Sequence, residues 1–260
     1  MANQTGRAQT EPIATAAQLI ARSRRLVVFT GAGVSKESGV PTFRDALDGL
    51  WAHYNPEQLA TPQAFKANPG LVWRWYAERH TLIESVKPNA AHLALFELEM
   101  LLPQVLIVTQ NIDGLHRRAG SSDVIALHGD IREYKCVADC QGNPTLIDVP
   151  NWSQFTAPPP CPYCGRLVRP NVVWFGEALP LNAFERASDF CQVSDVLLVI
   201  GTSGLVNPAA MLPRLGKDAG AALIDINLAH DEISKIADIF IQAPAGQTLP
   251  LIVQLIRALN

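Results

Sequence analysis

The chain has 260 residues, 48% of them hydrophobic, enough to bury a large core as one enlarged domain or as a domain carrying an insertion. A net charge of −3 gives no electrostatic drive toward nucleic acid or anionic lipid, and no apolar run approaches the roughly twenty residues that span a bilayer. A cytoplasmic, monomeric globular protein is expected, with neither nucleic acid nor membrane as partner.

Residues 1–13 read as a polar tail. A helical pattern over residues 14–25 carries Arg22, Arg24 and Arg25 and leads straight into an apolar run, so it reads as the first helix of the fold and not as a transit peptide. That run, residues 26–29, is a strand buried on both faces. Gly31-Ala32-Gly33 follows at once, and its glycines let the backbone turn sharply and approach a pyrophosphate closely. The spacing is not the dinucleotide fingerprint, because the next glycine is Gly39 and no acidic residue closes a second strand about twenty residues on. With Ser35, Ser38, Phe43 and Arg44 behind it, the turn reads as a nucleotide site; the alternative is a plain strand-to-helix turn with Phe43 in the core.

Residues 46–86 form an aromatic, helical stretch that interrupts the sheet. After a helix over residues 90–101 and a strand over 105–109 comes Gln110-Asn111-Ile112-Asp113-Gly114-Leu115-His116, and after a strand over 124–127 comes His128-Gly129-Asp130. Amides, a carboxylate and a histidine at strand ends beside a nucleotide can orient a ribose, bind a carboxamide and supply a base near neutral pH. His128 is favoured for function by its strand-end position before a glycine. His116 and His92 sit beside apolar helix residues and are favoured as structural.

Two cysteine pairs follow, Cys136-x3-Cys140 and Cys161-x2-Cys164, with a proline-rich loop between them and Gly142 and Gly165 just beyond. Thiolates so spaced can wrap one tetrahedral zinc ion, and four of them leave no open position, so the metal would be structural. Cys191, in a mixed helical segment over 184–193, reads as an inert small hydrophobe. Further short strands are expected over 172–175, 196–200, 222–226 and 239–241, with helices over 208–215 and 249–259. Gly201-Thr202-Ser203 and Asn227, at strand ends, suit phosphate and adenosine ribose. The alternation predicts an α/β, Rossmann-like doubly wound parallel sheet. Residues 14–45, 87–130 and 169–260 are assigned to it, and 46–86 with 131–168 to a smaller helical and zinc-binding lobe over its carboxyl edge.

The motifs GAGVSKESGVPTFRD (31–45), TQNIDGLH (109–116), LHGD (127–130), the cysteine pairs, RPNVVWFGE (169–177) and GTS (201–203) occur in the order found in sirtuins, which the chain resembles from residue 14 to 259. The first cysteine pair departs from the commoner two-residue spacing. The resemblance implies an NAD-dependent protein-lysine deacylase that yields nicotinamide and 2′-O-acyl-ADP-ribose and acts on acyl-lysine proteins or peptides. It implies that Gly31, Ala32, Gly33, Phe43 and Arg44 line the nicotinamide riboside and phosphate region. Gln110, Asn111, Ile112 and Asp113 would bind ribose and carboxamide, with Asn111 and Asp113 serving catalysis beside the general base His128. Gly201, Thr202, Ser203, Asn227 and Ala245 would hold the ADP-ribose end, while Val172, Trp174 and Phe175 would form the acyl-lysine tunnel.

Tyr76 and Arg79 lie three apart in a helical segment and so project from one face, where a guanidinium fork and a phenol make a carboxylate clamp. With Ala60, a small side chain that leaves the tunnel wide, they match the class III sirtuins, which implies a preference for succinyl-, malonyl- and glutaryl-lysine. The competing arrangement has Tyr76 packing with Trp73 and Arg79 facing water. The same residues also admit a deacetylase without acidic-acyl preference, an NAD-dependent ADP-ribosyltransferase or glycohydrolase using the same cleft, or a zinc-ribbon interaction module.

Overall fold

The computed structural model describes residues 2–42 and 56–259. Its strands are β1 (Leu26–Thr30), β2 (Val105–Thr109), β3 (Val124–Ala126), β4 (Gly129–Cys136), β5 (Leu146–Ile147), β6 (Val168–Val172), β7 (Val196–Ile200), β8 (Ala222–Asn227) and β9 (Ile239–Gln242). The helices are α1 (Ala2–Arg22), α2 (Gly33–Lys36), α3 (Pro56–Leu59), α4 (Pro62–Ala67), α5 (Pro69–Ser85), α6 (Ala90–Leu101), α7 (Leu115–Arg118), α8 (Leu181–Val193), α9 (Met211–Asp218) and α10 (Ala245–Leu259), with a 3-10 turn at Trp152–Gln154.

Six strands form one parallel sheet in the order β3-β2-β1-β7-β8-β9. Residues of β1, β2 and β7 are buried throughout, which is why these segments read as unbroken apolar runs and not as alternating ones. Successive side chains feed opposite layers. Leu26 and Val28 join Ile20 of α1, Leu95 of α6 and Leu249 and Ile252 of α10; Val27 and Phe29 join Ala187 and Cys191 of α8 and Leu212 of α9. The result is a three-layer α/β/α sandwich whose connections reverse direction between β1 and β7. At such a reversal the crossovers diverge and leave a crevice at the carboxyl ends of the strands.

The second sheet is antiparallel, in the order β5-β4-β6. The run over 172–175, expected as a strand of the main sheet, instead only begins at the end of β6, which pairs with β4, so that residues 129–130 and 169–172 belong to the small sheet. Composition cannot distinguish the two, since an apolar strand suits either core. Pro170 lies where the pairing shifts register between Asp130 and Tyr134, a place where its missing N–H costs the ladder nothing. The bulged Ile131 amide donates to the Ile112 carbonyl at 2.9 Å, which ties the small sheet to the end of β2. Helix α5 covers this sheet.

Several helix boundaries differ from expectation: α10, expected from residue 249, begins at Ala245, and α9, expected to end at 215, runs to Asp218. Helix α1 starts at Ala2 and runs through Pro12, so residues 2–13 continue the helix and do not form a tail. Proline usually opens a helix, which makes residue 12 a deceptive start signal. Helix α9 begins at Met211, since residues 208–210 form a lead-in turn whose Pro208 carbonyl accepts from the Met211 amide at 3.0 Å.

Where β1 and β7 end, backbone packs on backbone. A Cβ on Gly201, whose φ is +59°, would stand 2.6 Å from the Val34 nitrogen and 2.7 Å from the Gly33 carbonyl carbon. Gly201→Ala therefore combines left-handed strain with overpacking, each worth about 1–2 kcal/mol or more. Thermal melts should show destabilisation of at least about 2 kcal/mol, and titration should show weakened dinucleotide binding; wild-type values for both would contradict the close packing.

Candidate active site

At the crevice, the Gly31 amide donates to the Ile200 carbonyl at 3.0 Å and the Gly33 amide to the Gly201 carbonyl at 2.8 Å. Ala32 precedes α2 in helical conformation, and neither glycine projects a side chain between β1 and β7. With the Gly31 and Gly33 amides taken by Ile200 and Gly201, the exposed Ala32 between them is the part of the turn whose backbone can meet a ligand. Phe43 and Arg44, expected beside it, lie outside the described residues. Gln110 Nε2 donates to Thr202 Oγ1 at 2.9 Å, and Asn227 Nδ2 donates to the Thr202 carbonyl at 3.0 Å. One side of the crevice is thereby linked from β2 to β8, with Ser203 next along the chain. Ala245 opens α10, whose next amide, at Gly246, donates to Glu37 Oε1 at 2.8 Å.

Behind the turn lies a buried polar network. Asn111 Nδ2 donates to the Gly31 carbonyl and to Ser35 Oγ, both at 3.1 Å, while Ser35 donates to Asp113 Oδ2 at 2.7 Å and Asp113 Oδ1 accepts the Leu115 amide at 2.9 Å. Burial raises the Asp113 pKa, while the Leu115 amide and Ser35 hydroxyl oppose that rise. The Asn111 amide donates to Thr109 Oγ1 at 3.0 Å, and Thr109 also accepts from Thr30. Thr30 in turn faces His116 Nε2 at 2.9 Å. Burial, with lesser contributions from His92 and Arg117, pushes His116 down to about 3, and burial pushes His92 down to about 4. Both rings are neutral packing partners of this network. Thr30 carries no mark of a site role in the sequence; Ser35 and Thr109 lie within the glycine and TQNIDGLH motifs, but nothing local shows that their hydroxyls turn inward.

His128 is the hinge between the two sheets. The Leu127 amide donates to the Thr109 carbonyl, and the Val173 amide donates to the His128 carbonyl at 2.8 Å. Gly129 then adopts φ +83° at a point where a Cβ would meet the Asn171 carbonyl oxygen. His128 Nδ1 lies 2.8 Å from the Gln110 carbonyl. A carbonyl can only accept, so Nδ1 carries the proton and Nε2 the lone pair. Burial lowers the His128 pKa, partly opposed by the Gln110 bond, so the ring stays a neutral, competent base further into the acid range than free imidazole.

Beside His128, Ala60, Tyr76, Val172 and Trp174 share one apolar cluster, against which Ile112 packs. The Phe175 amide donates to the Ala60 carbonyl at 2.9 Å, and its side chain is 42% exposed. Trp174 Nε1 donates to the Tyr76 hydroxyl oxygen at 3.0 Å. The Arg79 guanidinium lies 4.3 Å from the Trp75 ring centroid, and the residue is partly buried. The clasp that holds this segment is not evident from the sequence. Arg169 Nη1 and Nη2 donate to Glu177 at 2.6 and 3.0 Å, Nη2 also donates to the Val172 carbonyl at 2.6 Å, and Glu177 accepts the Trp174 amide at 2.8 Å. The guanidinium sits 3.2 Å from the Trp174 ring centroid. Opposite charges eight residues apart in the RPNVVWFGE segment are the one local signal of it.

The four cysteines converge, with all Sγ atoms of Cys136, Cys140, Cys161 and Cys164 within 4.8 Å of one another. Cys136 and Cys164 approach to 3.5 Å and Cys140 and Cys161 to 3.8 Å. Sulfurs about 2.3 Å from a tetrahedral zinc stand about 3.8 Å apart, so the set fits that ion and saturates it. It lies at the far end of β4 from His128 and its metal would brace the small sheet without meeting the reaction.

The profile of the Sir2 family matches residues 31–208. The chain is 52% identical over 238 residues to NAD-dependent protein deacylase 2 of Pyrobaculum aerophilum, covering 92% of this chain and 93% of that one. Among solved structures it is similar to a Sir2 homologue in complex with NAD, with 44% identity, a TM-score of 0.88 and 94% of both chains covered. It is also similar to a variant Sir2 homologue in complex with 2′-O-acetyl-ADP-ribose, with 44% identity, a TM-score of 0.87 and coverage of 94% of this chain and 96% of that one.

Because Cys161 joins the sulfur cluster and the apolar core of the small sheet, Cys161→Ser should lose bound metal in elemental analysis. Near-UV circular dichroism should lose the small-lobe aromatic signal, as expected where metal binding is folding energy. A metal-free protein with unchanged spectrum and activity would remove the structural role.

Proposed function

The chain belongs to the Sir2 family and is an NAD-dependent protein deacylase, and on that premise we propose that it prefers lysines whose acyl group ends in a carboxylate, namely succinyl, malonyl and glutaryl. The observation that carries this reading is the state of the Tyr76 hydroxyl. Its oxygen already accepts from Trp174 Nε1, so its proton is directed elsewhere, and burial raises its pKa far enough to keep that proton in place. Arg79, one helical turn on, is perturbed chiefly by burial, which lowers its pKa, and by Tyr76, which raises it. A partly desolvated guanidinium beside a phenol donor favours an anion between them. Ala60 adds no bulk to the wall of the same cluster.

We assign the roles of the remaining residues on the same basis. Gly31, Ala32 and Gly33 would hold phosphate through backbone, and Gln110, Thr202, Ser203 and Asn227 would hold the sugars, with Ala245 against the adenosine end. Asn111, Ile112 and Asp113 would orient the nicotinamide riboside, since the side chains of Asn111 and Asp113 are fixed from behind by Ser35, Gly31 and Leu115. Val172, Trp174 and Phe175 would line the acyl-lysine. Bound NAD would supply the electrophilic ribose carbon and, with the uptake of one water, would receive the acyl group, leaving free lysine, nicotinamide and 2′-O-acyl-ADP-ribose. His128 Nε2 would remove the proton of a ribose hydroxyl, its tautomer held by the Gln110 carbonyl.

His128→Ala should lower turnover by about a hundredfold to ten-thousandfold while leaving NAD affinity nearly intact, because affinity is spread over many contacts. In the wild type, the acid limb of kcat/KM should fall below the ordinary imidazole range of about 6.5, given the lowered pKa; a limb above it would exclude neutral His128 as the base. For acyl preference, Arg79→Met keeps reach and removes charge. Its efficiency on a succinyl-lysine peptide should drop about tenfold to a hundredfold, with the acetyl form of the same peptide changing much less. Equal losses on both would end the carboxylate reading.

A further inference from the structure

Tyr76 of helix α5 belongs to the apolar cluster with Val172 and Trp174, and it also meets the small sheet, where Trp73, Tyr76, Ala77, Ile131, Tyr134 and Pro170 come together between α5 and strands β4 and β6. Apolar packing is non-directional and resists rotation of a helix poorly, whereas hydrogen bonds and ring stacking are directional. Such contacts flank this seam on both sides. On the N-terminal side, Trp73 Nε1 donates to the Phe155 carbonyl at 2.9 Å. On the C-terminal side, His80 Nδ1 lies 2.8 Å from the Tyr134 hydroxyl, and its ring stacks on Trp152 with centroids 3.8 Å apart and planes 11° apart. His80 Nε2 faces Glu84 Oε1 at 3.5 Å. A carboxylate can only accept, so the ring proton sits on Nε2 and Nδ1 accepts from Tyr134.

We propose that His80 is a positioning residue for acyl selectivity: it locks the rotation of α5 on the small sheet, and thereby sets where the Tyr76 hydroxyl and the Arg79 guanidinium meet the end of the acyl chain. It acts from the residue next to Arg79 and one turn beyond Tyr76, and it does so without touching substrate. Recognition of a carboxylate by two donors tolerates only about 0.5 Å and 10–20° of error, so a small rotation of α5 weakens a carboxylate-tipped acyl group and hardly affects an acetyl group. The proposal rests on the carboxylate-clamp reading above.

The test compares kcat and KM for succinyl and acetyl versions of one peptide, together with KM for NAD, in the metal-loaded full chain. His80→Ala should raise KM for the succinyl peptide about tenfold, with KM for NAD and acetyl efficiency within about twofold of wild type. His80→Asn, which replaces the acceptor facing Tyr134, should recover part of the loss. Tyr134→Phe, which keeps the ring and removes the hydroxyl, should reproduce the selective loss in milder form, and it decides the matter alone should His80→Ala fail to fold. In the Arg79→Met background, His80→Ala should add little, because both changes act on one contact. Equal losses on the two peptides, or fully additive losses in the double variant, would overturn the role of His80 while leaving a selective Arg79→Met result, and with it the clamp, standing. If Arg79→Met itself does not separate the peptides, both readings fall.

Discussion

The backbone of residues 31–34 lies directly against that of residue 201, and this contact at the β1/β7 reversal is the constraint from which the site follows. No side chain fits between them: a Cβ on Gly31 or Gly33 would stand within 2.7 Å of Thr202 or Gly201 atoms. The close approach closes the floor of the crevice and engages the amides of Gly31 and Gly33, while Ala32 between them stays exposed. It also brings the ends of β2 and β8 within reach of one another through Thr202, which accepts from Gln110 at its hydroxyl and from Asn227 at its carbonyl. The polar network of Asn111, Ser35 and Asp113 then fills the space behind the turn, where every one of these groups would otherwise be buried without a partner.

The second half of the site depends on how the chain leaves the parallel sheet. At Leu127 the backbone is still bonded to β2, and at Gly129 it is already paired with β6. His128, between them, is held by both sheets, next to the cluster that Ala60, Tyr76, Val172 and Trp174 form from three separate parts of the chain. The Arg169–Glu177 clasp does the corresponding work on the other side. It closes residues 169–177 into a loop that presents Trp174 to Tyr76 and its amide to the same carboxylate. Removing Glu177 would strand Arg169 as a buried charge, which makes this pair more consequential than the exposed ion pairs of the surface.

The strands of the parallel sheet are legible in the sequence because β1, β2 and β7 are buried on both faces, so hydrophobicity alone marks them. The cysteine set is legible because spacing within each pair is a local property of the chain. The run over 172–175 misleads because an apolar strand looks alike in either sheet, and pairing with β4 is a contact across some forty residues that no local pattern encodes. The start of α1 misleads because Pro12 mimics an N-terminal signal and only the continuing helix shows otherwise.

Sequence by itself determined the fold class, the glycine turn at a strand end and the four thiolates. Position in the sequence already set His128 apart from His116 and His92, but only the tertiary structure supplied the partners that tune each ring. His128, His116, His92 and His80 are the same residue type, and three of them sit beside similar apolar neighbours in the chain. Their differences come from burial and from the partners that packing supplies: a carbonyl that fixes the tautomer of His128, a threonine hydroxyl against His116, an asparagine capping α6 beside His92, a tyrosine and a tryptophan around His80. All but the third of these partners lie far along the chain, so the chemistry of each ring is set by how sheets and helices pack and not by the residues that precede or follow it.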